Sequence, residues 1–151
     1  MIEIYTDGAS RGNPGPGAYA VILRHKLGEK IITQSFRKTT NNRMELMAVI
    51  AGLKAVKPVN QNIAIYSDSK YVVDAVNKGW ITKWVAMEFK KIKNVDLWKD
   101  FIEHYKMHKI NFFWIKGHSG HYENETCDAL AQKAIISGNY EIDYGYESIT
   151  C

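Results

Sequence analysis

Cysteine is too scarce in this chain to build a disulfide framework. There are two, Cys127 in a helix-like run and Cys151 at the last position, and such sparse use suits a reducing, cytoplasmic setting. Long apolar runs are missing as well. No window approaches the roughly 18 apolar residues of a membrane helix. Glu3 and Asp7 interrupt the N-terminus where a secretory leader needs an unbroken apolar stretch, so no leader is expected. Proline is confined to Pro14, Pro16 and Pro58, and no linker, low-complexity segment or long repeat divides the chain. The last thirteen residues, NYEIDYGYESITC, hold three acids and neither lysine nor arginine.

What is present points to a folded, basic protein. Hydrophobic residues make up 46% and aromatics 12%, enough to bury a core, so disorder is not the default reading. The length fits one domain, 1–151, with residues from about 139 onward expected to form a partly disordered tail. The net charge is +4. Without the acidic tail the chain holds twenty basic and thirteen acidic residues, a net of +7. A basic body suggests a polyanionic partner.

Periodicity gives the element order. Ile2, Ile4 and Thr6 alternate with Glu3, Tyr5 and Asp7, as in a strand that ends on Asp7. SRGNPGPG must turn. AYAVILRH and KIITQSFR read as strands joined through KLGE, completing an antiparallel meander. From Asn42 the period becomes helical, and Pro58 lies just beyond its end. NIAIYSD is a short apolar strand of the kind buried on both faces. Asp68 or Ser69 can cap a helix through Val76, with Gly79 as its stop. A further helix spans about Val95–His108, INFFWIK is a strand, and a last helix runs from about Glu123 to Ser137, stopping at Gly138. The expected fold is mixed α/β, with a five-stranded sheet of three antiparallel and two parallel strands and helices packed on it.

IYTD and IYSD, which end at Asp7 and Asp68, both finish on a carboxylate. Each acid has an ordinary explanation. Asp7 can start a turn, Glu45 can close a capping box with Asn42, Asp68 can cap a helix, and Asp128 can complement a helix dipole. The combination says more. If the first strand and the NIAIYS strand lie side by side and parallel, both aspartates emerge at one rim, with Asp128 and Glu45 joining from helices. Four carboxylates packed together repel unless cations neutralise them. All-oxygen ligands favour Mg²⁺ or Mn²⁺ over zinc. Two such ions on a basic protein point to phosphodiester chemistry.

Four motifs, IYTDGASRGNPGPGAYA, TTNNRMELMA, YSDSKYV and WIKGHSGHYENETCDALA, occur in this order along nearly the whole chain. On these it resembles the type 1 ribonuclease H enzymes, close to the bacterial form. The resemblance implies a ribonuclease H-like fold and an endonuclease that cuts the RNA strand of an RNA–DNA hybrid, leaving a 3′-hydroxyl and a 5′-phosphate. It implies that Asp7, Glu45, Asp68 and Asp128 hold two Mg²⁺ ions, with Mn²⁺ as a substitute. It also implies that His118 in the KGHSGH loop assists proton transfer or product departure, and that Glu125 tunes the second metal. Removal of RNA primers and hybrids during replication is implied too, with the protein acting as a monomer.

A hybrid differs from duplex DNA in the 2′-hydroxyls of a wide, shallow minor groove. Amides, which both donate and accept, suit that task, and Asn13, Asn41 and Asn42 match the family's groove-reading positions. Thr40 and Arg43 are expected phosphate contacts. Turn and helix-cap roles for the asparagines remain compatible with this. In place of a full basic protrusion stands GWITKWVAMEFKKIKNVDLW, which keeps Trp80, Trp84, Lys83, Lys90, Lys91 and Lys93 but carries Val85, Ala86 and Met87 within its basic run. It is expected to grip the DNA strand less strongly than a full protrusion. Lys70 stands where an amide is expected, and a cation there favours a phosphate. Tyr140, Tyr144 and Tyr146 are candidates to dock part of the tail.

A non-catalytic reader on the same fold would lack one of the acids or the amides. A transposase or resolvase core would lack the asparagines beside Glu45. Neither lack occurs. Charge reversal of Lys90, Lys91 and Lys93 together is expected to raise KM for a hybrid more than it lowers kcat. Steady-state kinetics check this, and an unchanged KM would remove the gripping role.

Overall fold

The computed structural model describes the backbone of residues 1–150 and the side chains of residues 1–148. Cys151, and with it the expected fraying of the extreme end, lies outside the described residues. The meander is β1 (Ile2–Ser10), β2 (Gly15–His25) and β3 (Gly28–Thr39), followed by α1 (Asn41–Lys54) and β4 (Asn62–Ser67). Next come α2 (Lys70–Asn77), α3 (Trp80–Ala86) and α4 (Val95–Tyr105). The chain continues with β5 (Lys109–Trp114) and α5 (Tyr122–Ser137), and ends in β6 (Tyr140–Glu141) and α6 (Tyr144–Thr150). The sheet order is β5-β4-β1-β2-β3-β6.

The parallel centre is as the sequence predicts. β1 pairs with β4 from Ile2↔Ile63 to Tyr5↔Tyr66, and β4 pairs with β5 in the same sense. The alternation of β1 splits its side chains between two cores. Ile4 joins Leu46, Leu53, Ile65, Val72, Trp98 and Phe101 under α1, α2 and α4. Tyr5 faces the opposite side with Ala20, Ile22, Cys127 and Ala131, where α5 covers β1, β2 and β3. Trp98 and Phe101 are fully buried and meet edge to face at 5.7 Å between ring centroids.

Several expectations need correction. The sheet has six strands among the described residues, not five, because two tail residues add β6 beside β3. The Tyr140 hydroxyl in β6 donates to the Ile135 carbonyl at 2.7 Å, and α6 follows. Thr40 caps α1 by accepting from the Arg43 N–H, so neither Asn41 nor Asn42 is the cap and no capping box joins Asn42 to Glu45. Ser69 rather than Asp68 caps α2, accepting from the Val72 N–H. α4 stops at Tyr105, three residues early, and α3 is an additional short helix, none of whose residues is fully buried.

Arg43 lies at the centre of the tail's attachment. It is 1% exposed. All five of its N–H donors are engaged: two on Asp143, two on Asp96 and one on Asn94, at 2.7–3.3 Å. Thr39 donates to the same Asp143 at 2.7 Å. Burial works against the guanidinium charge, but Asp96 and Asp143 more than offset it, so its pKa stays above the usual arginine value. A buried pair broken on one side costs about 3–5 kcal/mol. Asp143→Ala is expected to fall near the lower end of that range, because Asp96 still pairs with Arg43. Urea unfolding measures it, and a loss within experimental error would show that the tail is not anchored through this pair.

Candidate active site

The geometry of the rim follows from where β1 and β4 part. Their pairing stops at Tyr5 and Tyr66, whose rings stack at 4.9 Å between centroids. Beyond that point β1 stays paired with β2, with Asp7 opposite Ala20. Asp7 therefore lies inside a strand that continues to Ser10 rather than ending it. Gly8 shows why no larger residue follows. A methyl group there would collide with the α1 backbone at Met44 and Glu45. This close approach brings Glu45 to Asp7, and the Gly8 N–H donates to Asp7 Oδ1 at 3.0 Å.

Asp68 leaves β4 in a short connection held by its neighbours. The Ser69 N–H donates to Ser67 Oγ at 3.0 Å, and the Ile115 N–H to the Ser67 carbonyl at 2.9 Å. One carboxylate oxygen from each of Asp7, Glu45 and Asp68 lies within 4.8 Å of the others. Glu45 Oε1 and Asp68 Oδ1 are buried with no hydrogen-bond partner. Buried acceptors left unmatched are costly, and hard oxygen ligands converging on one point suit Mg²⁺ or Mn²⁺. The residues present therefore fit a divalent ion.

Their electrostatics agree. Burial, then the charges of Asp68 and Asp128, push the Asp7 carboxyl from an ordinary 3.8 up to about 8. Burial, then Asp7 and Asp68, hold Glu45 well above the usual carboxylate range. Asp128, on α5, adds to the rise of the Asp7 carboxyl. All four predicted acids thus lie on one electrostatically linked rim, three of them within common reach of one ion.

A sequence model of the RNase H family matches residues 1–136. The chain belongs to the ribonuclease H family. It is 55% identical to "Ribonuclease H" of Helicobacter acinonychis over 87% of this chain and 90% of that protein. It is 45% identical to "Ribonuclease H" of Trichodesmium erythraeum over 97% and 96% respectively. Among solved structures, LC9-RNase H1, described as a type 1 RNase H with the type 2 active-site motif, superposes with TM-score 0.77 at 27% identity, covering 99% of this chain and 80% of its own. Ribonuclease H enzymes are divalent-metal-dependent hydrolases, and here the acid cluster is where such an ion could bind.

The other ribonuclease H candidates divide. Asn41 and Asn42 are exposed at the start of α1, and Asn13, exposed in the turn between β1 and β2, accepts the Asn41 N–H through Oδ1 at 3.1 Å. With Thr40 and Lys93, Asn13 and Asn42 line a cleft of about 640 Å³. Arg43 also lines it but cannot serve as a phosphate contact, because four of its donors are spent on the Asp96 and Asp143 carboxylates and the fifth on Asn94; this corrects the sequence expectation. His118 is exposed, with φ 54°, in the turn before α5. Gly117 packs against Asp68 so closely that a methyl would lie 2.8 Å from Oδ2. Glu125 accepts the Gly120 N–H at 3.3 Å, tethering the loop.

The protrusion is α3 and the turns after it. Trp84 packs edge-on against Trp98 at 5.1 Å, and Trp80 is half-buried, with Lys78 5.7 Å from its ring centre. Lys83, Lys90, Lys91 and Lys93 are exposed. One feature that the sequence reading passed over is Trp114, whose indole N–H donates to the Asp68 carbonyl at 3.0 Å. Its position two residues before the KGHSGH loop was the available signal.

Asp7 holds its proton up to about pH 8 when folded but only to 3.8 when unfolded, so the folded state carries the extra proton between those values. Stability of metal-free protein must then fall as pH rises through that window. In chelator, Tm is expected to drop between pH 5 and 8. Asp7→Asn should flatten the slope and raise Tm at the alkaline end. Thermal melts check this, and a Tm that climbs over the same range would contradict the buried-carboxylate account.

Proposed function

We propose that this chain hydrolyses the RNA strand of RNA–DNA hybrids endonucleolytically, leaving 3′-hydroxyl and 5′-phosphate ends, with two Mg²⁺ ions held by Asp7, Glu45, Asp68 and Asp128. The observation that carries the reading is the rim itself, with three acids sharing one point and two buried oxygens lacking any partner. A further support is that LC11-RNase H1, solved in complex with RNA/DNA hybrid, superposes with TM-score 0.67 at 25% identity, covering 91% of this chain and 98% of its own.

Bound divalent ions would supply an activated water and neutralise charge on the leaving oxygen, and Mn²⁺ would serve as Mg²⁺ does. The chain's own residues do the rest. Gly8 and Ser67 fix Asp7 and Asp68 through the backbone, so the carboxylates meet the ions without reorganising. Glu45 would also contact the ribose beside the cut. His118, exposed on its loop, takes or gives a proton as the product leaves. Asn13, Asn41 and Asn42 read 2′-hydroxyls, and Lys83, Lys90, Lys91 and Lys93 hold the opposite, DNA strand by charge. The protein would act as a cytoplasmic monomer, clearing RNA primers and hybrids in replication.

An end-labelled RNA strand, presented in a hybrid, in duplex RNA and alone, tests this. Cleavage is expected only in the hybrid and only with divalent metal. The Asp7→Asn protein should lose most of it, by at least about a hundredfold, a scale typical of removing a group that stabilises the transition state. Binding of the hybrid without cutting under Mg²⁺ or Mn²⁺ would make the chain a reader rather than an enzyme.

A further inference from the structure

Asp68 presents a puzzle of orientation. Its Oδ1 is buried without a hydrogen-bond partner, so the backbone that carries the carboxylate matters for its aim. The backbone on either side is tied down. Ser67 pairs with Trp114 across β4 and β5. The Ile115 N–H reaches the Ser67 carbonyl, and the Ser69 N–H reaches Ser67 Oγ. The remaining backbone acceptor, the carbonyl of Asp68 itself, takes the indole N–H of Trp114 at 3.0 Å. That contact ties the end of β5 to the residue that must aim at a metal.

Trp114 is also 43% exposed, which is unusual for a large aromatic beside a catalytic rim. Its open area is not idle. The ammonium of Lys70 sits over the ring, 4.7 Å from its centre. Lys70 is exposed. A lysine side chain ordinarily samples many rotamers and loses that freedom on binding an anion. Resting against the indole face restrains it beforehand while leaving its charge in solvent. It is the first residue of α2, two positions after Asp68, so the restrained charge stands beside the acid cluster.

We propose that Trp114 is a positioning residue with two separable tasks: its indole N–H fixes the backbone of the metal-binding Asp68, and its ring face holds the Lys70 ammonium ready for a phosphodiester of the bound nucleic acid next to the one being cut. The phosphate half rests on the hybrid-nuclease reading. The Asp68 half rests only on the acid cluster binding a divalent ion.

The two tasks come apart in two variants. Trp114→Phe keeps a ring for Lys70 but loses the N–H donor. Lys70→Gln keeps the donor and loses the cation. Calorimetric titration of the free protein with Mn²⁺ is expected to show Trp114→Phe weakened about tenfold, the scale seen when a group behind a metal ligand is lost, and Lys70→Gln unchanged. Hybrid cleavage at saturating metal is expected to show Lys70→Gln with KM raised about two- to fivefold, the scale of an exposed ion pair, and kcat unchanged. Trp114→Phe should keep the wild-type KM. Thermal melts of both proteins show whether each is folded at the assay temperature. Wild-type Mn²⁺ affinity in folded Trp114→Phe overturns the first task, and an unchanged KM in Lys70→Gln overturns the second. If the wild-type protein leaves the hybrid intact, the function reading fails along with the phosphate half. The Mn²⁺ titration still decides the role of the indole.

Discussion

Mutual repulsion among buried carboxylates is the constraint around which this molecule is arranged. The parallel pairing of β1 and β4 places Asp7 and Asp68 at one rim, and the contact of Gly8 with α1 adds Glu45. Burial and like charge then drive Asp7 and Glu45 towards their protonated forms. A fold optimised only for stability would not gather these groups, since each could be replaced by a neutral residue at a gain. The arrangement becomes favourable when a divalent ion takes up the partnerless oxygens of Glu45 and Asp68.

Holding such a site together requires a stiff surround, and the polar hub at Arg43 supplies part of it. Two residues before Glu45 on α1, Arg43 gathers Asp96 and Asn94 from the start of α4 and Asp143 from the tail. Asn94 and Trp98 both donate to the Tyr71 hydroxyl at 2.9 Å, which extends the network to α2, the helix that begins just after Asp68. The helix bearing Glu45, the helix following Asp68 and the base of the lysine-bearing protrusion are thereby fixed to one another. Each donor of Arg43 is matched, which is the condition under which a buried charge is tolerated.

Much of this was legible in the sequence, because it depends on local pattern. The alternation in IEIYTD, the buried run NIAIYS and the helical repeat after Asn42 sufficed for the sheet core, and with the shared YTD/YSD ending they placed the acids at one edge. What was not legible depends on long-range partners. Arg43, directly after Thr40, Asn41 and Asn42, reads as a phosphate contact, and only the fold shows carboxylates from positions 96 and 143 enclosing it. The tail lacks an apolar period strong enough to announce β6 or α6, since its attachment is through Asp143 and the Tyr140 hydroxyl. α3 is only seven residues long and none of them is fully buried, so its few apolar positions, Trp80, Ile81 and Trp84, make too short a stripe to announce a helix. Trp114 reads as an ordinary strand aromatic until its indole is seen against Asp68.

The central claim is that the acids are held partly protonated until a divalent ion replaces their protons. Calorimetric titration with Mg²⁺ near pH 7, repeated in buffers of different ionisation enthalpy, counts the protons released on binding. With the Asp7 carboxyl pushed up to about 8 and Glu45 raised as well, about one proton or more should leave for each protein molecule that binds metal, and fewer as pH rises past 8. A heat of binding that is the same in every buffer would mean that no proton leaves. It would show that the acids are already ionised without metal, and that repulsion at the rim is not what the ion relieves.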